Sequence, residues 1–230
     1  MARKDGSGRP LHERVKSRRG RKAGSTRWLE RQLNDPYVHE AHRRGYRSRA
    51  AFKLIQIDDR FGFLRPGQRV VDLGAAPGGW TQVAVERVRP DSTGGVVVGL
   101  DKVAMEPIAG ATLIEADILA DGAVERLRGV LGGPADVVLS DMAAPSTGHA
   151  ATDHLRTLAL AEAAVAFAGE ALAPGGTVLV KVLQGADEPK LFAALRRRYE
   201  SVRRIKPRAS RGASAELYLL AMGRRGAGSG

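Results

Sequence analysis

The chain has no cysteine. That excludes disulfides and cysteine-held metals, and it predicts an intracellular, cytoplasmic setting. Aromatic residues make up only 5% of the chain, which argues against extensive base stacking as a way of gripping nucleic acid. No apolar run approaches the roughly 20 residues that a membrane-spanning helix needs, so no membrane association is expected. The N-terminus lacks the apolar stretch of a secretory signal. Neither a heptad pattern nor an apolar interface strip is evident, so a monomer is expected. What the chain does have is 230 residues and 43% hydrophobic content, enough for one sizeable core. It also has a formal charge of +12, from 37 Lys and Arg against 25 Asp and Glu. An excess of that size predicts a polyanionic partner, in the first place nucleic acid.

The charge is unevenly placed. Residues 1–60 hold 17 basic and 7 acidic side chains, residues 61–190 hold 10 and 16, and residues 191–230 hold 10 and 2. An acidic middle with basic ends is the pattern of an enzyme core carrying basic arms. Ten basic residues fall within 1–27 among Gly, Ser and Pro, with too little apolar surface to offset ordering entropy. We therefore expect a disordered basic arm over 1–27, a single domain over 28–223, and a flexible Gly-rich tail over 224–230. The plainer reading of the arm is a solvated tail with no partner.

Apolar runs of strand length recur at 69–73, 96–100, 112–115, 136–140 and 176–182, with helical stretches at 80–88, 123–131 and 154–171 between them. That alternation predicts an α/β fold with a parallel sheet covered on both faces. The runs at 201–206 and 216–222 are joined by a short polar connection, which predicts an antiparallel pair at one edge. Upstream, residues 28–45 read as a helix interrupted at Asp35-Pro36, and 48–61 as a second helix with Ser48 as its N-cap.

The segment Val70-Val71-Asp72-Leu73-Gly74-Ala75-Ala76-Pro77-Gly78-Gly79-Trp80 is a strand entering a glycine-rich turn and then a helix. Its Gly-x-x-x-Gly-Gly spacing differs from the dinucleotide pattern Gly-x-Gly-x-x-Gly. It suits an adenosyl ligand with an amino-acid tail better than a nicotinamide cofactor. A tight turn with packing glycines is the plain alternative. Asp101 ends the next strand, 23 residues after Gly78, where an acid is expected to accept from ribose hydroxyls. Asp117 follows the third strand, where a carboxylate could accept from an adenine amine. Asp141 follows the fourth. With Asp72 on the first, acids stand at the ends of four successive strands, and these converge on one cleft at the carboxyl edge of such a sheet. Lys181 interrupts an apolar strand, Thr177-Val178-Leu179-Val180-Lys181-Val182-Leu183. A charge there is costly unless it is paired or functional, or unless the side chain snorkels to solvent. Lys53 and Glu216 carry no signal on their own.

Taken together, Ser48-Arg49-Ala50-Ala51-Phe52-Lys53-Leu54, the glycine turn, Leu139-Ser140-Asp141-Met142-Ala143, Val180-Lys181-Val182-Leu183-Gln184-Gly185, and Ser210-Arg211 through Glu216-Leu217-Tyr218 occur in one order. In this the chain resembles the FtsJ/RrmJ family of S-adenosylmethionine-dependent ribose 2′-O-methyltransferases, from about residue 26 to 223. The resemblance implies a Rossmann-like class I methyltransferase fold, with a seven-stranded, mostly parallel sheet and one antiparallel edge strand. It implies a catalytic tetrad of Lys53, Asp141, Lys181 and Glu216, with no metal. It assigns S-adenosylmethionine contacts to Gly78, Trp80, Asp101, Asp117 and Asp141. It implies a uridine ribose in the A-loop of 23S ribosomal RNA as the target, within the large ribosomal subunit. On this reading Lys181 is the base or hydroxyl-steering group, Lys53 supplies neighbouring positive potential, Asp141 orients Lys181, and Glu216 completes the charge network. The N-terminal arm, Arg43, Arg44, Arg47, Arg49, Arg203, Arg204, Lys206, Arg208 and Arg211 are expected on phosphates. The chain departs from the family at Ala144-Pro145, where Pro-Asn is usual, while the tetrad positions are intact. The alternatives are a 2′-O-methyltransferase of transfer RNA or of an RNA cap, and a non-catalytic RNA-binding assembly factor on the same scaffold.

Overall fold

The computed structural model describes residue 30 and residues 33–145, 147–185 and 187–226. The expected arm at 1–27 and the tail residues 227–230 lie outside the described residues. The strands are β1 (Arg69–Leu73), β2 (Val96–Asp101), β3 (Thr112–Glu115), β4 (Ala135–Ser140), β5 (Leu172–Leu183), β6 (Tyr199–Ile205) and β7 (Glu216–Arg224). The helices include α1 (Pro36–Arg44), α2 (Ala51–Phe61), α3 (Gly79–Val88), the single turn α4 (Pro90–Thr93), α5 (Ala123–Leu131), α6 (Ala150–Ala171) and α7 (Glu188–Arg198).

The sheet runs in the order β3-β2-β1-β4-β5-β7-β6. The first five strands in that order are mutually parallel, and β7 runs against both its neighbours. The expected α/β architecture therefore holds, with the one reversed strand standing a place inside the edge that β6 closes. Period-two alternation sorts the strands' side chains onto two cores. Val71, Leu73, Val98, Leu100, Val138 and Val180 pack toward α5, α6 and α7. Val70, Val97, Val137, Leu139 and Leu179 pack toward α2 and α3. On α2, Ala51, Leu54 and Ile57 recur at helical spacing and are almost wholly buried. Burying each of the larger two removes apolar surface worth about 1.5–3 kcal/mol.

Three local outcomes differ from the sequence-based expectations. Helix α2 begins at Ala51 after an Ala50 cap with no side-chain bond, and Ser48 Oγ is buried beside Gly79 without a partner. Ser48 cannot act as the cap because it stands three residues ahead of the first helical residue. Helix α7 was not expected, although Leu191 and Leu195 sit at i,i+4 and both reach the core. Strand β7 continues to Arg224, so ordered structure passes 223. The Arg224 guanidinium donates to the Leu172 and Gly169 carbonyls, and the Arg225 N–H donates to Arg198. The break at Asp35-Pro36 is as expected: Asp35 caps α1, accepting from Tyr37 N at 3.0 Å, with Pro36 in the first turn.

The strand order reverses between β1 and β4, and the chain leaves β1 there at Gly74. Gly74 has φ 76°, and a Cβ on it would overlap the Met142 side chain and sit 3.1 Å from the Met142 Cα. Only glycine satisfies both limits. Gly74→Ala should therefore destabilise the fold by about 1–3 kcal/mol. Urea unfolding would measure this as a lower midpoint with an unchanged slope.

Candidate functional site

At the strand-order switch the carboxyl ends of β1, β2, β3 and β4 surround a cavity of about 480 Å³. That lies within the usual range for small-molecule sites, roughly 300–1,000 Å³. Its charged lining comes from Asp101, Asp117 and Asp141 together with Lys102 and Arg156, and its apolar walls include Leu100, Ile118 and Met142. Of the four strand-end acids expected to converge, Asp101, Asp117 and Asp141 line the cavity, whereas Asp72 is buried beneath the turn and does not, because its side chain turns into the protein. Asp101 is fixed by two backbone donors, Ala76 N at 3.0 Å and Val103 N at 2.9 Å. Asp117 accepts from Leu119 N through Oδ1 at 3.0 Å. Ala144 and Pro145, the departure from the family pattern, line the same cavity.

Gly78 and Trp80 lie outside this lining. Gly78 has φ 113°, and a Cβ there would press on Ile108 and the Arg47 side chain. Arg47 itself donates to the Glu106 and Pro107 carbonyls at 2.7 Å each, tying the loop after β2 to the glycine turn. Trp80 is 3% exposed, donates from its indole to the Ala50 carbonyl at 2.8 Å, and stacks at a tilt on Tyr218. Asp72 lies beneath the turn with no exposure. One oxygen accepts from Thr81 Oγ1 at 2.7 Å, and the other has no hydrogen-bond partner among the described residues. Burial pushes the Asp72 carboxyl up to about 7. The Thr81 hydrogen bond opposes that shift, and the charges of Asp141 and Asp101 add to it.

Beside the cavity, four ionisable groups from four elements form one cluster. Lys181 on β5 pairs across the ladder with Tyr218 on β7. The alternation of Val180 and Val182 into one core turns Lys181 to the α2 and α3 face. Its Nζ lies 3.1 Å from Asp141 Oδ1 and also donates to the Asp141 carbonyl. Lys53, on the first turns of α2, lies 2.9 Å from Glu216 Oε1 and 3.6 Å from Asp141 Oδ2. Both lysine side chains are less than a tenth exposed. Two cations and two carboxylates thus sit in a partly dry setting where Coulomb attraction is strong. Burial alone would push the Asp141 carboxyl up. Lys181, Lys53 and the Tyr218 hydroxyl outweigh it and hold it below the ordinary carboxylate range.

Two polar neighbours were not singled out from the sequence. The Tyr218 hydroxyl donates to Asp141 Oδ1 at 2.6 Å, and Ser210 Oγ donates to Glu216 Oε1 at 2.8 Å. Burial and the Asp141 and Glu216 charges keep the Tyr218 phenol well above its usual range, so it remains a donor. Tyr218 looks like a core aromatic in the sequence, and only its ladder partner reveals its role.

Many of the cations expected on phosphates already have partners within the chain. Arg43 and Arg44 pair with Glu40, Arg204 with Glu188, and Arg49 and Arg211 with Asp35. Lys206 donates to the Gly212 and Ser214 carbonyls. Arg203 and Arg208 are exposed and have no intramolecular partner among the described residues.

The cavity's chemistry fits an adenosyl donor with an amino-acid tail. Carboxylates at two neighbouring strand ends match hydroxyl and amine donors, apolar walls match a flat base, and Gly74 leaves the turn without a side chain at the rim.

The family model described as FtsJ-like methyltransferase matches residues 46–224. The chain is 56% identical over 228 residues to ribosomal RNA large subunit methyltransferase E of Parvibaculum lavamentivorans, covering 96% of this chain and 90% of the relative. It is 59% identical over 224 residues to the protein of the same name from Paramagnetospirillum magneticum, covering 96% and 91%. Among solved structures, a Plasmodium falciparum protein named as a ribosomal RNA methyltransferase superposes with a TM-score of 0.70. It is 31% identical, and the match covers 79% of this chain and all of that one.

The buried Asp72 has a consequence for stability. Its folded-state pKa, about 7, lies above the ordinary aspartate value, so the native state holds a proton that the unfolded chain has released. Native stability should therefore fall as pH rises from about 4 to 7, by at most about 1.4 kcal/mol per pH unit, and then level off. Asp72→Asn should lose this component. Thermal unfolding from pH 4 to 8 should show the wild type gaining on the variant toward acid.

Proposed function

The chain belongs to the FtsJ-like methyltransferase family, and from that premise we propose that it methylates the 2′-oxygen of a uridine ribose in the A-loop of 23S ribosomal RNA, within the large ribosomal subunit. S-adenosylmethionine is the donor on this reading. The observation that carries the proposal is Asp141, whose carboxylate both lines the cavity and bonds the two buried lysines. A donor site and a proton-handling site that share one side chain are in contact by construction. The names of the relatives support ribosomal RNA as the substrate class.

Asp101 and Asp117 would hold the donor's ribose and base, and Asp141 would face its reactive end. Bound there, S-adenosylmethionine supplies a methyl group already activated on a sulfonium. The protein's own task is then to place the 2′-oxygen and to take away one proton. Placement alone is worth on the order of 7–11 kcal/mol of barrier. Lys181 is the group that meets the hydroxyl. Its contacts with the Asp141 carboxylate and carbonyl fix where Nζ points and leave one N–H free. Charged, Lys181 steers the hydroxyl oxygen. Neutral, it accepts the hydroxyl proton. Lys53 keeps positive charge beside Asp141, and Glu216 balances that charge while Ser210 orients it. Arg203 and Arg208, exposed and unpaired among the described residues, are cations of the β6–β7 end available to phosphate, so binding should weaken with salt.

The test is transfer of labelled methyl to large subunits taken from cells without the endogenous enzyme. Naked 23S ribosomal RNA, transfer RNA and capped RNA run alongside. Label on the ribose of one uridine in the subunits is expected. Label confined to transfer RNA or cap would keep the chemistry and overturn the substrate, and no label on any RNA would overturn the activity. In the same assay Lys181→Ala should lower turnover by at least about 100-fold. Calorimetry should still show S-adenosylmethionine binding to that variant, and retained turnover would remove Lys181 from its role.

A further inference from the structure

Among the cations expected on RNA phosphates, Arg49 is largely enclosed by protein. Its side chain is 17% exposed, and its Nε lies 2.9 Å from Asp35 Oδ2, a side chain 8% exposed. Its Nη2 donates to the Ala209 carbonyl at 2.6 Å, and its guanidinium lies 5.8 Å from the centre of the Tyr37 ring. Asp35 is committed at both oxygens, since Oδ1 caps α1. Arg211, in the β6–β7 connection, approaches Asp35 at 3.6 Å.

These contacts converge on the loop that carries Ser210. Ala209 has no exposure and is gripped twice, its carbonyl by Arg49 and its N–H by Gln56 Oε1 at 2.9 Å. The next residue, Ser210, donates to Glu216. Arg49 stands two residues ahead of α2 and Lys53 lies in its first turn, so both project from one short stretch of chain. One holds Ala209 and the other holds Glu216, the two ends of a single short segment.

We propose that Asp35 and Arg49 form a positioning clamp for the reacting cluster and that neither contacts RNA. The proposal rests on the reading of the Lys53, Asp141, Lys181 and Glu216 cluster as the reacting site. The clamp acts through the Ala209 carbonyl, which sets Ser210, which sets the Glu216 carboxylate against Lys53. Losing Asp35 leaves the Arg49 guanidinium without its carboxylate, and losing Arg49 leaves the buried Asp35 only the longer contact to Arg211, so the loop must shift to let in water. A displacement of about 1 Å at Glu216 would cost up to about 100-fold in rate.

The experiment uses Arg49→Lys, Arg49→Gln, Asp35→Asn and Ser210→Ala in the full-length protein, each checked for folding by thermal unfolding. Arg49→Lys keeps the charge that a phosphate would use but cannot hold Asp35 and the Ala209 carbonyl together. Asp35→Asn keeps the helix cap. All four variants should lower kcat by about 10- to 100-fold with KM little changed. The slope of log affinity for RNA against log salt should stay at the wild-type value. Amide exchange at 209 and 210 should quicken in the Arg49 and Asp35 variants but not in Ser210→Ala, which lies downstream of the clamp. Full activity in Arg49→Lys, with Arg49→Gln flattening the salt slope by about one phosphate (roughly 0.7–0.9), would make Arg49 an RNA contact and overturn the clamp. Unchanged exchange at 209 and 210 in the Arg49 and Asp35 variants would also overturn it. A wild type that methylates no RNA overturns the reading of the cluster instead, and the exchange measurement still decides the clamp.

Discussion

The site depends on one carboxylate kept charged where burial alone would protonate it. Asp141 leaves β4 at the point where the strand order reverses, so it has the donor cavity on one side and two buried ammonium groups on the other. Its own desolvation is unfavourable, and Lys181, Lys53 and the Tyr218 hydroxyl offset it. Each of those partners comes from a different stretch of chain. The charge balance therefore holds only while α2, β4, β5 and β7 keep their registers. Removing any one charge would leave its neighbours buried without compensation, which is far costlier than losing an exposed pair.

The neighbouring Asp72 shows the other outcome of the same physics. It lies beneath the glycine turn, bonded among the described residues to Thr81 and to no cation, and its carboxyl rises to about 7. Two aspartates on adjacent strands are driven in opposite directions because one has ammonium partners and the other has a hydroxyl. The positive charge of the chain is also divided between uses. Arg49 and Arg211 bind Asp35 inside the fold, Arg47 ties two loops together, and Arg203 and Arg208 remain open to solvent. A count of basic residues reads all of these as one electrostatic footprint, whereas the fold separates braces from contact points.

Much of the architecture was legible because it depends on local periodicity. Strand-length apolar runs alternating with helical ones dictated the parallel sheet, and the short connection between the last two runs dictated an antiparallel pair. Asp101, Asp117 and Asp141 could be placed at one cleft because the carboxyl edge of a parallel sheet is common to all its strands. Helix α7 escaped notice because only Leu191 and Leu195 mark its buried face, and three arginines dominate its last turn. Ser48 looked like a cap because caps are recognised by residue type, yet the helix starts three residues later. Trp80 lies in the core with its indole bonded to Ala50, a pairing between residues thirty positions apart that no spacing rule anticipates.

By itself, the sequence determined the order of the elements, the glycine turn, the acids at the strand ends and the presence of one lysine in an apolar strand. Those features follow from interactions within a few residues of each other, so a linear reading captures them. The partners of that lysine were decided only by the tertiary structure. Register across β5 and β7 set Tyr218 beside Lys181, the seat of α2 on the sheet brought Lys53 to Glu216, and burial decided that Asp35 should hold Arg49. These pairings are made between distant positions and are strengthened by the exclusion of water, and water is excluded only once the core has closed.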